Sequence, residues 1–131
     1  MALNKVYDQY KANSVMTSRP EELTAMLYNG IVKFIMQGIF AIEKNDLEKA
    51  NESIIRAQDI IAELRNTLDK SYDIANSMDL VYDYMHRRLI EANVHKDTGI
   101  LNEVLEYAKA FRDTWAEAMK LARQDHIELV K

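Results

Sequence analysis

The chain has 131 residues, no cysteine, and a formal net charge of −4 from 17 basic and 21 acidic residues. This length predicts a single domain that needs no covalent staple, and the lack of cysteine excludes disulfides, thiolate metal sites and cysteine nucleophiles. The acidic balance argues against a nucleic-acid partner, because the one basic cluster, residues 86–88, is flanked by Asp83 and Glu91.

The amino-terminal residues lack a basic segment followed by an apolar one, so we expect no secretory signal. The longest uncharged apolar stretch, residues 34–42, is too short to cross a bilayer. These features predict a cytoplasmic protein without membrane insertion.

Three glycines and one proline leave few breaks in a 3.6-residue periodicity that runs along almost the whole chain. The pattern predicts an all-α fold, with residues 1–19 as a short mobile amino-terminal arm or helix and residues 20–131 as one domain. Four helices are predicted: from about Pro20 to Ile42, from near Asp46 to about Leu68, from Ile74 or Asn76 to Val94, and from after Asp97 to about Arg123 or beyond. Short connections favour an antiparallel up-down four-helix bundle.

The first predicted helix carries more apolar surface than one core requires. At 100° per residue, one wide face holds Leu23, Met26, Leu27, Ile31, Phe34, Gly38 and Ile42. Val32, Met36 and Phe40 form a second strip roughly opposite, with Tyr28 and Ile39 between the two faces. We expect another chain to cover this strip, the alternative being that these residues pack at borders between helices.

The same periodicity predicts the inward faces of the other helices. The second helix presents Leu47, Ala50, Ile54, Ala57, Ile61, Leu64 and Leu68. The third presents Ile74, Met78, Val81, Met85, Leu89 and Ala92, and the fourth presents Leu101, Val104, Leu105, Ala108, Phe111, Trp115, Met119 and Ala122. Leu80 and Tyr84 lie outside the third helix's inward face and predict a second apolar strip there.

No pattern predicts catalysis or a cofactor. A di-iron bundle needs two Glu-x-x-His pairs, and the sequence has none; Asp83 and His86 have the right spacing but stand alone. Glycine-rich phosphate loops and nucleophile elbows are also missing. We therefore expect a binding protein rather than an enzyme or a metalloprotein. Its ligand is either an amphipathic or extended segment of another protein or a second copy of the chain.

Several motifs in chain order resemble one known family. They are Tyr10-x-x-Asn-Ser-Val15, Thr17-Ser-Arg-Pro-Glu-Glu-Leu23, Met26-Leu-Tyr-Asn-Gly-Ile31, Leu80-Val-Tyr-Asp-Tyr-Met85, Arg88-Leu-Ile-Glu-Ala-Asn93 and Arg112-Asp-Thr-Trp115. Together they resemble the flagellin export chaperones, the FliS family. Two positions depart from the family pattern: Arg19 replaces a small capping residue, and Asn29 replaces an aspartate.

The resemblance implies a cytoplasmic four-helix chaperone, without catalysis or cofactor, that binds the carboxy-terminal region of flagellin. Such a protein prevents premature polymerisation and delivers flagellin to a component of the type III export gate. A weak homodimer is the other expected association. The residues expected to bind the partner are Tyr7, Tyr10, Val15, Tyr28, Val32, Met36, Phe40, Leu80 and Tyr84.

Overall fold

A computed structural model describes residues 20–130, with the side chains of residues 20–125. It contains four α-helices: α1 (Pro20–Glu43), α2 (Leu47–Thr67), α3 (Asp73–His95) and α4 (Thr98–Val130). No strand occurs within this range. The all-α prediction and the four predicted helices are confirmed, and α4, at 33 residues, extends past Arg123, as the prediction allowed.

The helix boundaries follow from local chemistry. Asp46 caps α2, because its side chain accepts a hydrogen bond from the Lys49 backbone N–H. Asp97 does the same for α4 by accepting from the backbone of Gly99 and Ile100 at 2.8 and 3.2 Å. Asn45 and Lys96 adopt left-handed backbone angles, which turn the chain after α1 and α3.

The helices form a closed ring in which α1 packs against α2, α2 against α3, α3 against α4, and α4 against α1. Within residues 20–130, the diagonal pairs α1 with α3 and α2 with α4 have no Cα atoms within 8 Å of each other. Arg65 near the end of α2 bonds Asp79 near the start of α3, and Asn51 near the start of α2 meets Asn93 near the end of α3. These contacts show that α2 and α3 are antiparallel. The Trp115 bond to Glu21 and the approach of Leu101 to Gly38 show the same for α1 and α4, as in an up-down four-helix bundle.

The core is one continuous cluster of side chains from all four helices. Its fully buried members include Ile31, Ile35, Ile54, Ile60, Ile61, Tyr82, Met85, Leu89, Leu101 and Val104. Most predicted inward positions are buried or half-buried, but Leu47, Ile74 and Ala122 are exposed. These three lie at or beyond the ends of the packed region, where periodicity continues although no neighbouring helix covers the side chain.

Glycine sets the close approach of α1 to α2. A Cβ atom at Gly38 would lie 3.2 Å from Ile54 Cγ1, and one at Gly30 would lie 2.9 Å from Ile60 Cδ1. Larger side chains at these two positions would push the helices apart, so glycine here provides space rather than backbone freedom.

Candidate partner-binding surface

The exposed side of α1 carries two large apolar side chains one turn apart. Met36 is 53 % exposed and Phe40 is 61 % exposed, and we call this pair the α1 strip. The Lys44 ammonium lies 5.0 Å from the centre of the Phe40 ring and leaves the rest of that ring open to solvent. The expectation of an exposed strip on this helix is therefore met at these two positions.

Val32 and Tyr28 do not belong to that exposed surface. They are 6 % and 2 % exposed, so the predicted outer position of Val32 is wrong, while Tyr28, predicted between the two faces, follows the alternative of packing between helices. Because α1 packs against both α2 and α4, its buried arc is centred on Ile31 and Ile35, and it reaches Val32 on one border. Nothing in the structure tests whether either residue contributes to partner binding.

Tyr28 instead joins a buried aromatic cluster. Its ring stacks on Phe111 of α4 at a centroid distance of 5.6 Å, and Phe111 in turn lies 5.0 Å from the Tyr82 ring of α3. The Tyr28 and Tyr82 hydroxyl groups hydrogen bond to each other. Trp115, 6.3 Å from Tyr28, donates its indole N–H to the Glu21 carbonyl at 2.9 Å. The cluster fixes the start of α1 against α3 and α4.

The outer side of α3 carries the second predicted strip. Leu80 is 72 % exposed, while Tyr84 is half-buried, and together they form the α3 strip. The Tyr84 ring meets Tyr107 of α4 edge-on at 5.9 Å, and its hydroxyl donates to Glu103 at 3.0 Å. Tyr84 is thus held in place by α4, and the Arg87 guanidinium lies 5.8 Å from the centre of its ring.

Charged groups hold the junction of α3 and α4 beneath that strip. Arg88 bonds Glu103 at 2.8 Å and Glu91 at 2.7 Å. The hydrogen bond from Arg88 lowers the pKa of Glu103, and the hydrogen bond from Tyr84 lowers it further. Together the two donors hold the Glu103 carboxylate in one orientation. The hydrogen bond to Glu103 raises the pKa of the Tyr84 hydroxyl above its ordinary value.

The structure does not bring all the predicted site residues together. The α1 and α3 strips lie on diagonal helices and are not adjacent. Tyr7, Tyr10 and Val15 lie outside the described residues, so their predicted role remains a prediction. Among the described side chains, no group of three His, Asp or Glu residues is arranged to hold a metal ion.

Further exposed apolar side chains extend the surface beyond the prediction. Ile55 of α2, and Ile90 and Val94 of α3, lie on the outer sides of their helices. Tyr107 of α4 borders the α3 strip. Each of these apolar residues lies off the inward face that the periodicity of its helix predicts, and this pattern in the sequence could have identified them. Ile90 and Val94 were not predicted because the second strip of the third helix was placed at Leu80 and Tyr84 alone, and no second strip was predicted on the second and fourth helices.

Helix α1 is long and apolar enough, with a mean hydropathy of 1.4 over its best window, to match a membrane span by composition. Seven of its residues are buried against the other helices. A core helix of a soluble bundle passes the same test, so composition here is weak evidence for insertion.

Residues 3–122 match the family model described as flagellar protein FliS. The chain is 49 % identical over 125 residues to the flagellar secretion chaperone FliS of Bacillus subtilis, covering 95 % of this chain and 94 % of that one. It is 31 % identical to the Campylobacter jejuni protein of the same name, covering 89 % and 93 %. A solved structure described as a flagellar chaperone from bacteria superposes with a TM-score of 0.72 at 18 % identity, covering 88 % of this chain and 96 % of that one. At this low identity, the similarity to the solved structure supports a shared fold alone.

Proposed function

The chain belongs to the FliS family of flagellar secretion chaperones, and on that premise we propose that it binds the carboxy-terminal segment of flagellin in the cytoplasm. Bound in this way, flagellin does not polymerise prematurely and is delivered to a component of the type III export gate. We also propose that the protein acts by binding alone, without catalysis or a cofactor.

The observation that carries this proposal is the exposed apolar surface on two diagonal helices. Met36, Phe40 and Leu80 are each more than half exposed, in a protein whose core is already complete beneath them. Isolated exposed apolar side chains are ordinary, but pairs aligned along a helix are typical of surfaces that receive another apolar face. Methionine suits this role, because its flexible side chain adapts to the partner.

The separation of the strips defines the kind of client that fits. A short single helix covers one strip, whereas a longer segment that wraps around the bundle can reach both. Ordering such a segment costs about 2–5 kcal/mol of the interaction energy, and burial of apolar surface at about 25 cal/mol per Å² offsets that cost. A flagellin end that is disordered before assembly has this character.

Calorimetric titration with flagellin from the same organism, intact and truncated at its carboxy terminus, tests the proposal. We expect intact flagellin to bind and the truncated form not to bind. Met36→Glu and Leu80→Glu should each weaken binding at least about tenfold, which is about 1.4 kcal/mol. Ile74→Glu, at an exposed apolar side chain outside both strips at the start of α3, is the matched control and should bind like the unmodified protein.

Thermal melting of the same variants distinguishes surface from core. Because both target side chains are exposed, each glutamate should change the melting temperature little. Light scattering at several concentrations tests the other expected association. A stable homodimer that buries the α1 strip and ignores flagellin would overturn the proposal.

A further inference from the structure

Phe34 of α1 lies between two cationic side chains. The Lys33 ammonium is 5.5 Å from the centre of its ring, and the Arg56 guanidinium carbon, from α2, is 5.8 Å from the same point. Phe34 is half-buried and Lys33 is exposed, whereas Arg56 is only 5 % exposed. Two positive charges therefore converge on one ring at the outer border of α1 and α2.

Arg56 is buried and, unlike four other arginines, has no ion pair with a described carboxylate. Arg65, Arg87, Arg88 and Arg112 each bond a carboxylate within 3.2 Å. Within the described side chains, no carboxylate lies within 4.0 Å of Arg56, and its guanidinium makes no hydrogen bond. Asp59, one turn along α2, feels the charge of Arg56, but burial has the larger influence and raises the pKa of Asp59.

A buried guanidinium without a partner destabilises a folded protein, because it loses hydration and gains no hydrogen bond in return. The contact with Phe34 offsets part of this penalty. The planar donor array of arginine matches a carboxylate, which binds it through two parallel hydrogen bonds. The buried, unpaired guanidinium of Arg56 is therefore suited to bind an anion from a molecule outside the bundle.

We propose that Arg56 and Lys33 receive a carboxylate of the bound client, the carboxy-terminal segment of flagellin, and this inference rests on the proposed function. Lys33 is three residues from Met36, so it borders the α1 strip on the same side of the helix. A client on that strip brings its acidic side chains past the exposed Lys33 ammonium first. Because Lys33 and Arg56 both contact the Phe34 ring, the Arg56 guanidinium is the second cationic group near that carboxylate.

The test compares Arg56→Met with a matched variant of a paired arginine, Arg65→Met, on the same helix. Arg56→Met should leave the melting temperature unchanged or higher and weaken binding of flagellin about tenfold. Arg65→Met should lower the melting temperature, because it removes the ion pairs that join α2 to Asp79 and Asp83 of α3, and should keep the affinity. If Arg56→Met lowers the melting temperature and leaves the affinity intact, Arg56 is a structural residue and the proposal is wrong.

Lys33→Met provides a second variant at an exposed position that does not endanger folding. It should weaken binding about threefold and make the affinity less dependent on salt. Replacing each acidic residue of the flagellin segment by its amide should identify one position whose effect disappears in Arg56→Met. Absence of any such position overturns the carboxylate assignment.

The outcomes separate this inference from the proposed function. If the unmodified protein binds flagellin and both the Arg56 and Lys33 variants bind equally well, this inference alone fails. If the unmodified protein does not bind flagellin, the proposed function fails and this inference falls with it.

Discussion

The hydroxyl groups of Tyr28 and Tyr82 hydrogen bond to each other inside the core and join α1 to α3. These are diagonal helices whose Cα atoms nowhere approach within 8 Å in residues 20–130. The long tyrosine side chains span the distance between the two backbones, and each hydroxyl group provides the hydrogen-bond partner of the other. A buried polar pair of this kind also fixes which residues face each other across the bundle.

Replacing both members of that pair should destabilise the protein less than the two single replacements do in sum. Tyr28→Phe leaves the Tyr82 hydroxyl buried without a partner, at a cost of about 1–3 kcal/mol in the free energy of unfolding. The double variant Tyr28→Phe/Tyr82→Phe removes both hydroxyls and should lose less than the sum of the single variants. Urea denaturation measures the three values. Strict additivity would show that the two hydroxyls do not interact in solution.

The same pair predicts loss of stability in alkaline solution. Burial raises the pKa of both hydroxyls above the ordinary tyrosine value of 10.0. Above pH 10 the unfolded chain releases these protons while the folded protein keeps them, so the stabilising contribution present below pH 10 is lost as the pH rises.

Free energies of unfolding measured between pH 8 and pH 11 check this sign. The Tyr28→Phe/Tyr82→Phe double variant should show a shallower decline above pH 10. The five other tyrosines remain in it and provide the background. A decline of equal slope in both proteins would contradict the assignment to this pair.

Trp115 should hold the first turn of α1 in place. Trp115→Phe keeps an aromatic ring near Tyr28 but removes the indole N–H that bonds the Glu21 carbonyl. We expect a loss of about 1 kcal/mol in the free energy of unfolding. Hydrogen exchange should quicken in the first turns of α1, while exchange at the far end of that helix should be unchanged. Faster exchange along all of α1 would indicate general destabilisation instead.

Gly38 should tolerate one carbon atom but not a full side chain. Gly38→Ala gains about 1 kcal/mol of helix propensity, and a contact at 3.2 Å with Ile54 offsets that gain, so stability should change little. Gly38→Leu cannot fit between α1 and α2 and should cost about 3 kcal/mol or more. Chemical denaturation compares the two variants. A stable leucine variant would show that α1 and α2 can separate at this point.

Periodicity predicted the four helices because each helix buries one continuous face. It placed Met36, Phe40 and Leu80 on the surface, where the structure has them. It misplaced Val32, because a single helical wheel does not reveal that α1 is flanked by both α2 and α4.

Tyr28 and Tyr82 were harder to place for a different reason. Tyrosine is compatible with a surface, and its burial here depends on a hydroxyl partner that comes from another helix. The unpaired state of Arg56 likewise has no sequence signal, because it depends on the carboxylates that α1 and α2 fail to bring near it. The environments of Tyr28, Tyr82 and Arg56 therefore all depend on which side chains a neighbouring helix brings close, and a single helical wheel does not contain that information.

The closed ring of helices has a kinetic consequence. Three of its four interfaces join helices that follow each other directly in the chain. Proteins dominated by such local contacts have low contact order and fold within microseconds to milliseconds. The interface of α1 with α4 is the exception, since Trp115 and Glu21 are 94 residues apart. Closing that long loop carries the largest entropic cost, so we expect the packing of α1 against α4 to be the step that limits the folding rate.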